Sequence, residues 1–312
     1  MSSRRLKAAV GIVATVAAFS TTGHTQAAET PDTISGAGHH IHTLLPAGMQ
    51  RQASAAAASS NNLNYLGGPV ETTGSVNYAI FWEPPLNGVS ANYNSLISRF
   101  LGDVGGSTIQ GVTSQYSQTV GGVTTPIANK GSLGGTWVDT TAFLGPVVTD
   151  AQIQAEVTKA MTVNHWTAGL GHQFFVFTGK NEISCAGAEC SNAVFCAYHS
   201  SFSSAGGEVL YADQPYTNTL PTGCMTPSSP NGDVDADSTI NVVSHELMET
   251  LTDPSVGASN YAWQDSSGSE IGDKCNFTFG PTDSRGADIT INGHPYIVQQ
   301  EWSNRVAACS MS

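Results

Sequence analysis

Six cysteines, all beyond residue 180, constrain this 312-residue chain more than any other feature of its sequence. An even number of cysteines in an exported protein is typical of a disulfide framework, so we predict three disulfides among the six. The sequence does not fix how they pair. No Cys-x-x-Cys pair is present, which argues against a zinc site made of cysteines. The six residues are Cys185, Cys190, Cys196, Cys224, Cys275 and Cys309.

The amino terminus has the pattern of a secretory signal peptide. A basic cluster, Arg4-Arg5-x-Lys7, precedes the apolar run Ala8–Phe19, which is too short to cross a bilayer as a helix. Small residues end this region at Ala28, as signal peptidase requires. We therefore predict a signal peptide over residues 1–28, a secreted (extracellular) protein, and no membrane association after signal removal. The export route stays open.

The charge of the chain excludes two classes of partner. Charged residues make up 11% of the sequence, and the formal net charge is −13 at pH 7. That charged share is about half of the usual value for a globular protein. Because an acidic surface repels phosphate groups, we expect neither nucleic acids nor anionic membranes to bind.

Beyond the signal peptide, the chain divides into two parts. Residues 29–65 look like a linker or pro-segment, because the tract Ala53–Ser60 has only small side chains with nothing to bury, which predicts disorder. The histidines of His39-His40-x-His42 lie in this part, where an incidental role is more common than metal binding. Residues 66–312 have the pattern of one globular domain.

Strands and helices are mixed along this domain without an internal repeat. Val76–Trp82 is an apolar run typical of a buried strand, and Thr149-x-x-Gln152 is a capping box that predicts a helix start. Asn292-Gly293 predicts a hairpin turn between Asp288–Ile291 and Tyr296–Gln299. The sequence thus predicts an α+β fold: a single domain with a mixed sheet, a metal-site helix and a disulfide-stapled carboxy-terminal half. Further strands are predicted over Phe174–Phe177, Ala193–Tyr198 and Val209–Ala212, and a helix with Tyr93, Leu96, Ile97, Phe100 and Leu101 on one face.

The most informative segment is a predicted helix over residues 240–251. Its apolar side chains recur every three or four residues, as on a helix that packs against a core. Asp237 or Ser238 would cap its amino terminus, and Asp253-Pro254 would end it. The apolar side chains are Ile240, Val243, Leu247 and Leu251.

The polar residues of this helix suggest a metal site. His245 and Glu249 project from the same face, one turn apart, with Glu246 beside them. The spacing resembles the His-Glu-x-x-His helix of zinc peptidases of the gluzincin type, with glutamate in place of the second histidine. Two ligands one turn apart can bind one ion, while the intervening glutamate acts on bound water as a general base. We therefore predict His245, Glu249 and the later Glu270 as metal ligands, and Glu246 as the catalytic base.

Three other residues are alternatives around this site. Asp273 would accept the free ring N–H of His245 or bind the metal itself, and a disulfide at Cys275 would hold its segment in place. His199 and His294 are reserve ligands or hydrogen-bond donors. A single histidine of this kind is more often structural.

The competing interpretation is a surface helix whose charges are merely solvated. Charged residues are scarce in this chain, so a cluster of them opposite an apolar stripe favours a metal site. Compared with two histidines and one glutamate, a His-Glu-Glu set adds one negative charge, which makes the ion a weaker Lewis acid. Zinc is the expected ion, and the oxygen-rich ligands also suit calcium or manganese.

A second acidic segment resembles the start of a calcium-binding loop. Asp233, Asp235 and Asp237 alternate along it, but Ser244 occupies the position where such a loop has its bidentate glutamate. A turn that caps the metal-site helix is the alternative, and we favour it.

Several blocks of the chain resemble the plant EXORDIUM (phosphate-induced protein) family. The resemblance covers most of residues 75–312 and is closest to bacterial relatives that have His-Glu-Leu-x-Glu followed by Thr-Asp-Pro. It implies a secreted protein, and plant members are associated with the cell wall and growth signalling. It also implies that the five candidate residues 245, 246, 249, 270 and 273 occupy the positions of their bacterial counterparts. The blocks are Pro230–Asp235 with the helix after it, Thr252–Pro254, Glu270–Asp273, Phe195–His199 and Gln300–Asn304.

These observations leave two functional hypotheses. The first is a secreted metallopeptidase-like hydrolase that acts on a peptide or a cell-wall-associated substrate. The second is a non-catalytic extracellular EXORDIUM-like protein in which zinc or calcium stabilises the carboxy-terminal half. The sequence fixes neither the substrate nor the oligomeric state.

Overall fold

A computed structural model describes residues 33–36, 39–47, 62–143, 145–258 and 260–312 of the chain. These residues contain five α-helices and eighteen strands. The helices are α1 (Tyr93–Asp103), α2 (Thr108–Gly111), α3 (Asp150–Asn164), α4 (Pro221–Cys224) and α5 (Val234–Thr252). The strands are β1 (Thr33–Gly36), β2 (His39–Leu44), β3 (Asn64–Tyr65), β4 (Ser75–Trp82), β5 (Ser117–Val120), β6 (Val123–Pro126), β7 (Gly131–Asp139), β8 (Val148–Thr149), β9 (His172–Thr178), β10 (Ser184–Ala186), β11 (Glu189–Cys190), β12 (Ala197–Ser204), β13 (Gly207–Gln214), β14 (Trp263–Gln264), β15 (Ile289–Ile291), β16 (His294–Tyr296), β17 (Glu301–Ser303) and β18 (Ala308–Ser310).

Seven strands form the main sheet in the order β1-β2-β12-β13-β9-β4-β7. The four strands from β13 to β7 pair in parallel, whereas the four from β1 to β13 pair antiparallel. The sheet is therefore mixed, and helices pack on it, which confirms the predicted α+β class. Its antiparallel side places β2 and β12 beside the end of α5 that bears the predicted site.

The two faces of the sheet bury two separate cores, because side chains alternate along each strand. Ala79 and Phe81 of β4 lie in the core that contains α1 and α5. Tyr78 and Ile80 of the same strand lie in the core that contains α3. The candidate site belongs to the α5 face.

Two helices predicted in the amino-terminal half are present. α1 buries all five predicted apolar side chains. α3 begins at the predicted capping box, where the Thr149 N–H donates to Gln152 Oε1 at 2.9 Å. The predicted strands over 76–82, 174–177 and 209–212 lie within β4, β9 and β13.

All three predicted disulfides are present. Cys185–Cys190 links β10 to β11, Cys196–Cys224 links the start of β12 to α4, and Cys275–Cys309 links the segment after β14 to β18. Every bridge thus lies in the carboxy-terminal half, where short strands and turns dominate.

The predicted hairpin is confirmed, although its second strand starts earlier than expected. Asn292 and Gly293 have φ angles of 51° and 86°, as a two-residue hairpin turn requires. Ile291 therefore pairs with His294, and the second strand is His294–Tyr296 rather than Tyr296–Gln299.

Two other expectations are wrong. Thr33–Gly36 and His39–Leu44 were expected in a linker over 29–65, but they are strands of the main sheet, because β2 finds an open edge at β12. The pro-segment alternative stays a prediction. Ala193–Tyr198 was expected as a strand, but β12 starts only at Ala197. The residues before it form a turn in which the N–H groups of residues 193 and 194 donate to the Cys190 carbonyl oxygen.

Two predictions concern residues outside the described part: the signal peptide over 1–28 and the disordered tract Ala53–Ser60. None of the helices in the described ranges has the length and apolar character that a bilayer crossing needs.

Candidate metal centre

The predicted metal-site helix is α5, and it is longer than expected. It spans Val234–Thr252, so the cap is Asp233 and not Asp237 or Ser238. The Asp233 side chain accepts a hydrogen bond from the Ala236 N–H at 3.2 Å. Asp253 follows the helix, as predicted, and its own N–H still donates to the Glu249 carbonyl oxygen.

The polar face of α5 is buried rather than solvated. His245 and Glu246 are 0% exposed, and Glu249 is 1% exposed. β2, β12 and the segment around Glu270 cover this face, while the predicted apolar stripe packs on the opposite side of the helix. The alternative of a surface helix with solvated charges is therefore wrong.

Two groups of side chains in the described residues could hold a metal ion, with ligand atoms within 4.8 Å of one another in each. In the first group, Nδ1 and Nε2 of His199 lie 3.5 Å from Glu249 Oε2 and 3.5 Å from Glu270 Oε2, respectively. In the second, His245 Nε2 lies 3.0 Å from Glu249 Oε1 and 3.8 Å from Asp273 Oδ1. Glu249 belongs to both groups, with one oxygen toward each.

The structure thus divides the predicted ligand set. Glu249 keeps its central place, but His245 and Glu270 fall into different groups. Each group is completed by a residue that the sequence offered as an alternative, His199 in one and Asp273 in the other. At 3.8 Å from His245 Nε2, Asp273 Oδ1 is too far to accept the predicted hydrogen bond.

The Gln299 amide fixes the tautomer of His245. Its Oε1 accepts from the Phe277 N–H at 3.1 Å, and its Nε2 donates to the Gly272 carbonyl oxygen at 2.9 Å. The same Nε2 lies 2.9 Å from His245 Nδ1, so this ring nitrogen is an acceptor. A neutral His245 therefore has its hydrogen on Nε2, the atom that faces Glu249 Oε1, and this nitrogen has no lone pair to offer an ion.

His199 has the opposite arrangement. Its Nδ1 lies 3.1 Å from Glu246 Oε2, while its Nε2 has no hydrogen-bond partner in the described part of the chain. A neutral ring that donates from Nδ1 to Glu246 leaves the Nε2 lone pair available, and metal-binding histidines are usually held in this way. Of the two groups, the one with His199 is better prepared to bind a metal.

A glycine allows the segment that bears Glu270 and Asp273 to approach α5. A Cβ atom on Gly272 would lie 2.6 Å from His245 Nδ1 and 3.0 Å from Glu249 Oε1. At this close approach, the Asp273 N–H donates to Glu249 Oε1 at 3.1 Å. The disulfide of Cys275 follows directly, as predicted.

Burial and mutual charge set the protonation of the cluster. Burial lowers the pKa of His199, but the carboxylates of Glu246 and Glu249 raise it more, to about 10. Burial raises the pKa of Glu270 well above its ordinary value, and the charges of Glu249 and Asp253 add to this. Burial also acts on Glu249, yet the neighbouring histidines lower its pKa. In the described residues, the ion pairs of these glutamates involve histidine and neither lysine nor arginine.

Several residues of the site were not predicted from the sequence. His42 reaches it from β2, and its Nδ1 lies 3.1 Å from Glu270 Oε2. His42 therefore borders the site, although neither group of potential ligands in the described residues includes it, and the alternation of histidines in 39–42 was the available signal. Glu301 is 0% exposed, and burial with the charge of Glu249 raises its pKa well above the ordinary value. Glu301 lies in the block Gln300–Asn304, and Gln299 directly precedes it. This block resembles the EXORDIUM family, but the resemblance predicted no role for its residues.

The remaining candidates have other partners. Asp235 Oδ2 accepts from the Tyr216 hydroxyl at 2.6 Å, and Asp237 Oδ2 accepts from the Ser229 hydroxyl at 2.6 Å. Asp233 caps the helix. The partners of the three aspartates therefore favour the interpretation as a helix-capping turn over that as a calcium-binding loop. No group of potential metal ligands in the described ranges includes them. His294, 2.6 Å from Asp103 Oδ2, lies in the hairpin and in neither group.

Comparison with known proteins gives one match. A stretch of 102 residues is 35% identical to Protein EXORDIUM-like 3 of Arabidopsis thaliana, which is 28% of this chain and 30% of that protein. The match thus spans less than a third of the relative's length. No family model matches the chain, and no solved structure matches it. The three disulfides and this similarity are typical of an extracellular protein.

Proposed function

We propose that the chain is an extracellular metal-dependent hydrolase with a site similar to that of zinc peptidases. His199, Glu249 and Glu270 bind the ion, and Glu246 is the general base. The observation that supports this best is that these glutamates are 0–1% exposed and, within the described part of the chain, form ion pairs with histidine alone. Burying a carboxylate without a cation costs several kcal/mol, which a divalent ion would offset.

The ligand atoms favour zinc. One imidazole nitrogen and two carboxylate oxygens form a set that zinc accepts, with a further position left for water. Calcium takes about six to eight oxygen ligands and fits a group containing a nitrogen poorly. Manganese accepts the same set, so elemental analysis is needed to separate the two.

Each neighbouring side chain has a role in this proposal. The ion would lower the pKa of a bound water and polarise the carbonyl of a substrate. Glu246 Oε2 accepts from His199 Nδ1, and Glu246 Oε1, which has no hydrogen-bond partner in the described residues, is available for the proton of the water. His245 Nε2 lies 3.0 Å from Glu249 Oε1 and would position this ligand by its charge. The group of His245, Glu249 and Asp273 is the less prepared alternative, because binding an ion through Nε2 would require the other tautomer of His245.

We propose peptide hydrolysis because the spacing of His245, Glu246 and Glu249 on α5 resembles that of zinc peptidases. The α5 spacing is similar to that of the gluzincin-type zinc peptidases and of the bacterial relatives of EXORDIUM proteins. A peptide or a cell-wall-associated polymer is the corresponding substrate class.

Metal content tests the ligand assignment. We expect the secreted protein to contain stoichiometric zinc, and Glu270→Gln and His199→Gln to weaken zinc binding by more than the about tenfold to 100-fold that loss of an outer-shell partner costs. His294→Gln is the matched control, because this histidine is paired with an aspartate outside the site. Mass spectrometry of the metal measures the result. Wild-type protein without stoichiometric metal would rule the proposal out.

Glu246→Gln separates catalysis from metal binding. The glutamine carbonyl oxygen can still accept from His199, so zinc content and melting temperature should hold. Because an amide cannot take up the proton of the water, cleavage of a mixed peptide library should fall by about 100-fold or more. Equal cleavage by wild type and variant would contradict the role of Glu246.

The complete burial of the ligands favours a second candidate function. A structural metal site is closed to solvent, and His199, Glu249 and Glu270 are at most 1% exposed. In this alternative the chain is a non-catalytic extracellular protein. It would bind the metal and lose thermal stability with a chelator. It would cleave no peptide, even after a change in the protein that exposes its metal ligands to solvent.

A further inference from the structure

The strand that covers the candidate site comes from the amino-terminal part of the chain. β2 pairs antiparallel with β12, and the register places His42 opposite His199. The His42 ring is 2% exposed, its centroid lies 5.8 Å from that of His199, and its Nδ1 lies 3.1 Å from Glu270 Oε2. A side chain of β2 therefore lies directly against the proposed metal ligands.

Backbone carbonyls hold this segment in place. The Cys196 N–H donates to the Leu44 carbonyl oxygen at 2.7 Å, and Asn276 Nδ2 donates to the Leu45 carbonyl oxygen at 3.0 Å. The Ser200 hydroxyl donates to the carbonyl oxygen of His40. Such bonds are available to any extended peptide, whatever its side chains.

Pockets on the two sides of β2 receive alternate side chains. Leu44 is 0% exposed and packs with Ala197 and Val242, while Ile41 packs in the core of the opposite face. Backbone pairing at a sheet edge combined with pockets for alternate side chains is the usual way in which a protein binds an extended peptide.

The pairing between β2 and β12 is short. It joins three residue pairs, from Ala197 opposite Leu44 to His199 opposite His42. β12 continues to Ser204 and pairs there with β13. Because the pairing has three residue pairs, fewer backbone hydrogen bonds must break for β2 to leave β12 than for a strand paired along its whole length.

We propose that the outer edge of β12 is a binding site for an extended peptide, and that residues 39–47 of this chain occupy it in cis. His42 then covers the ligands, and the site opens when the segment leaves. The inference rests on the proposed function in one respect, because it identifies an extended peptide as the substrate class. The peptide-binding edge itself does not depend on hydrolysis.

A cleavable chain tests the exchange. A recognition sequence for a site-specific protease is inserted between residues 47 and 62, and the folded protein is cut. The probe is a fluorescent peptide with the sequence of residues 39–47. We expect it to bind the cut protein and to bind the uncut chain at least about 100-fold more weakly, because an attached segment competes at an effective concentration on the order of millimolar.

Two controls accompany the probe. The same peptide with aspartate at the position of Leu44 should not bind, because that side chain enters a fully buried pocket. If the cut segment stays bound and excess probe does not replace it over days, or if it leaves and the probe does not bind, the proposal is overturned.

Intact chains give a second measurement. Leu44→Asp should unseat β2, so that the intact variant binds the wild-type probe and releases zinc to a chelator faster than wild type. Leu86→Asp is the control, because Leu86 is 98% exposed. This substitution should change neither the binding of the probe nor the rate of zinc release. Should both variants behave as wild type, β2 does not cover the site.

The two proposals can fail separately. If the cut chain binds the probe but cleaves no peptide in the library, the edge is a peptide-binding site and the hydrolase proposal falls. If the cut and uncut chains both cleave peptides at the same rate, and the probe does not bind, the hydrolase proposal survives without the covering segment.

Discussion

Two groups of buried acidic side chains, one on each face of the main sheet, are neutralised in different ways. On the α3 face, the Lys159 ammonium contacts Asp139 and lies 3.6 Å from Glu156 Oε2. It also lies over the Trp137 ring, 5.5 Å from its centroid. On the α5 face, the ion pairs of Glu246, Glu249 and Glu270 in the described residues have only histidine as their cationic partner.

This difference indicates what each group is for. Burial lowers the pKa of Lys159, but Asp139 and Glu156 raise it more, so this ammonium gives the α3 group its own cation at neutral pH. Histidine can lose its proton and offer a lone pair, so the α5 group can exchange protons for a metal ion. The comparison therefore predicts that only the α5 group responds to metal removal.

Metal removal should have the largest effect. An ion present at about 1,000 times its dissociation constant stabilises the folded chain by about 4 kcal/mol. For a protein of this size, each kcal/mol corresponds to about 2–4 °C in melting temperature, so a chelator should lower it by about 8–16 °C. Calorimetry with and without EDTA measures the shift.

The matched variant is Glu249→Gln with Glu270→Gln. Because it has lost two of the three ligands, its melting temperature should not respond to the chelator. A wild-type melting temperature that is also insensitive would mean that protons alone neutralise the α5 group, and the contrast with the α3 group would disappear.

A methyl group at Gly272 should have the next largest effect. In Gly272→Ala, the new Cβ would lie 2.6 Å from His245 Nδ1, so the segment of Glu270 and Asp273 must move away from α5. Overpacking of this kind costs about 1–3 kcal/mol, and zinc content should fall with it. Denaturant unfolding and metal analysis measure both effects.

Gly88→Ala is the control for that substitution. A Cβ at Gly88 meets no atom of the described residues within 4 Å, so stability and zinc content should be unchanged. If Gly272→Ala keeps its zinc, the ligands of the α5 group do not depend on this close approach.

The sequence predicted local features well, because neighbouring residues determine them. The α5 stripe, the capping box at Thr149 and the Asn292-Gly293 turn each depend on side chains within a few positions of one another. The expectation of export and an even cysteine count predicted three bridges, but the pairing depends on distances in the folded chain.

The centre could be predicted only in part, because its ligands come from distant segments. The helix spacing predicted Glu249 as a ligand, and the structure places it in both groups of potential ligands. It could not show that Gln299, fifty-four positions from His245, fixes the tautomer of that ring. Nor could it show that β2 pairs with β12, since the residues of β2 looked like part of a linker.

The smallest expected effect concerns the α3 group and its pH dependence. Burial raises the pKa of Glu156 to about 8, and hydrogen bonding and charge from Asp139 add to this against the opposing effect of Lys159. The folded chain therefore holds this proton more tightly than the unfolded chain, whose carboxyl has its ordinary pKa of 4.5. The stability that the proton contributes is complete below that value and is lost as pH rises through about 8.

Glu156→Gln tests this, because the amide is neutral at every pH. Its unfolding free energy should fall less steeply than that of wild type between about pH 4.5 and about pH 8. Glu189→Gln, in the β10–β11 hairpin, should leave the slope as it is. Equal slopes for wild type and Glu156→Gln would mean that Lys159 keeps Glu156 ionised in the folded chain. The α3 group would then be a simple ion pair, and its contrast with the histidine-neutralised α5 group would be sharper still.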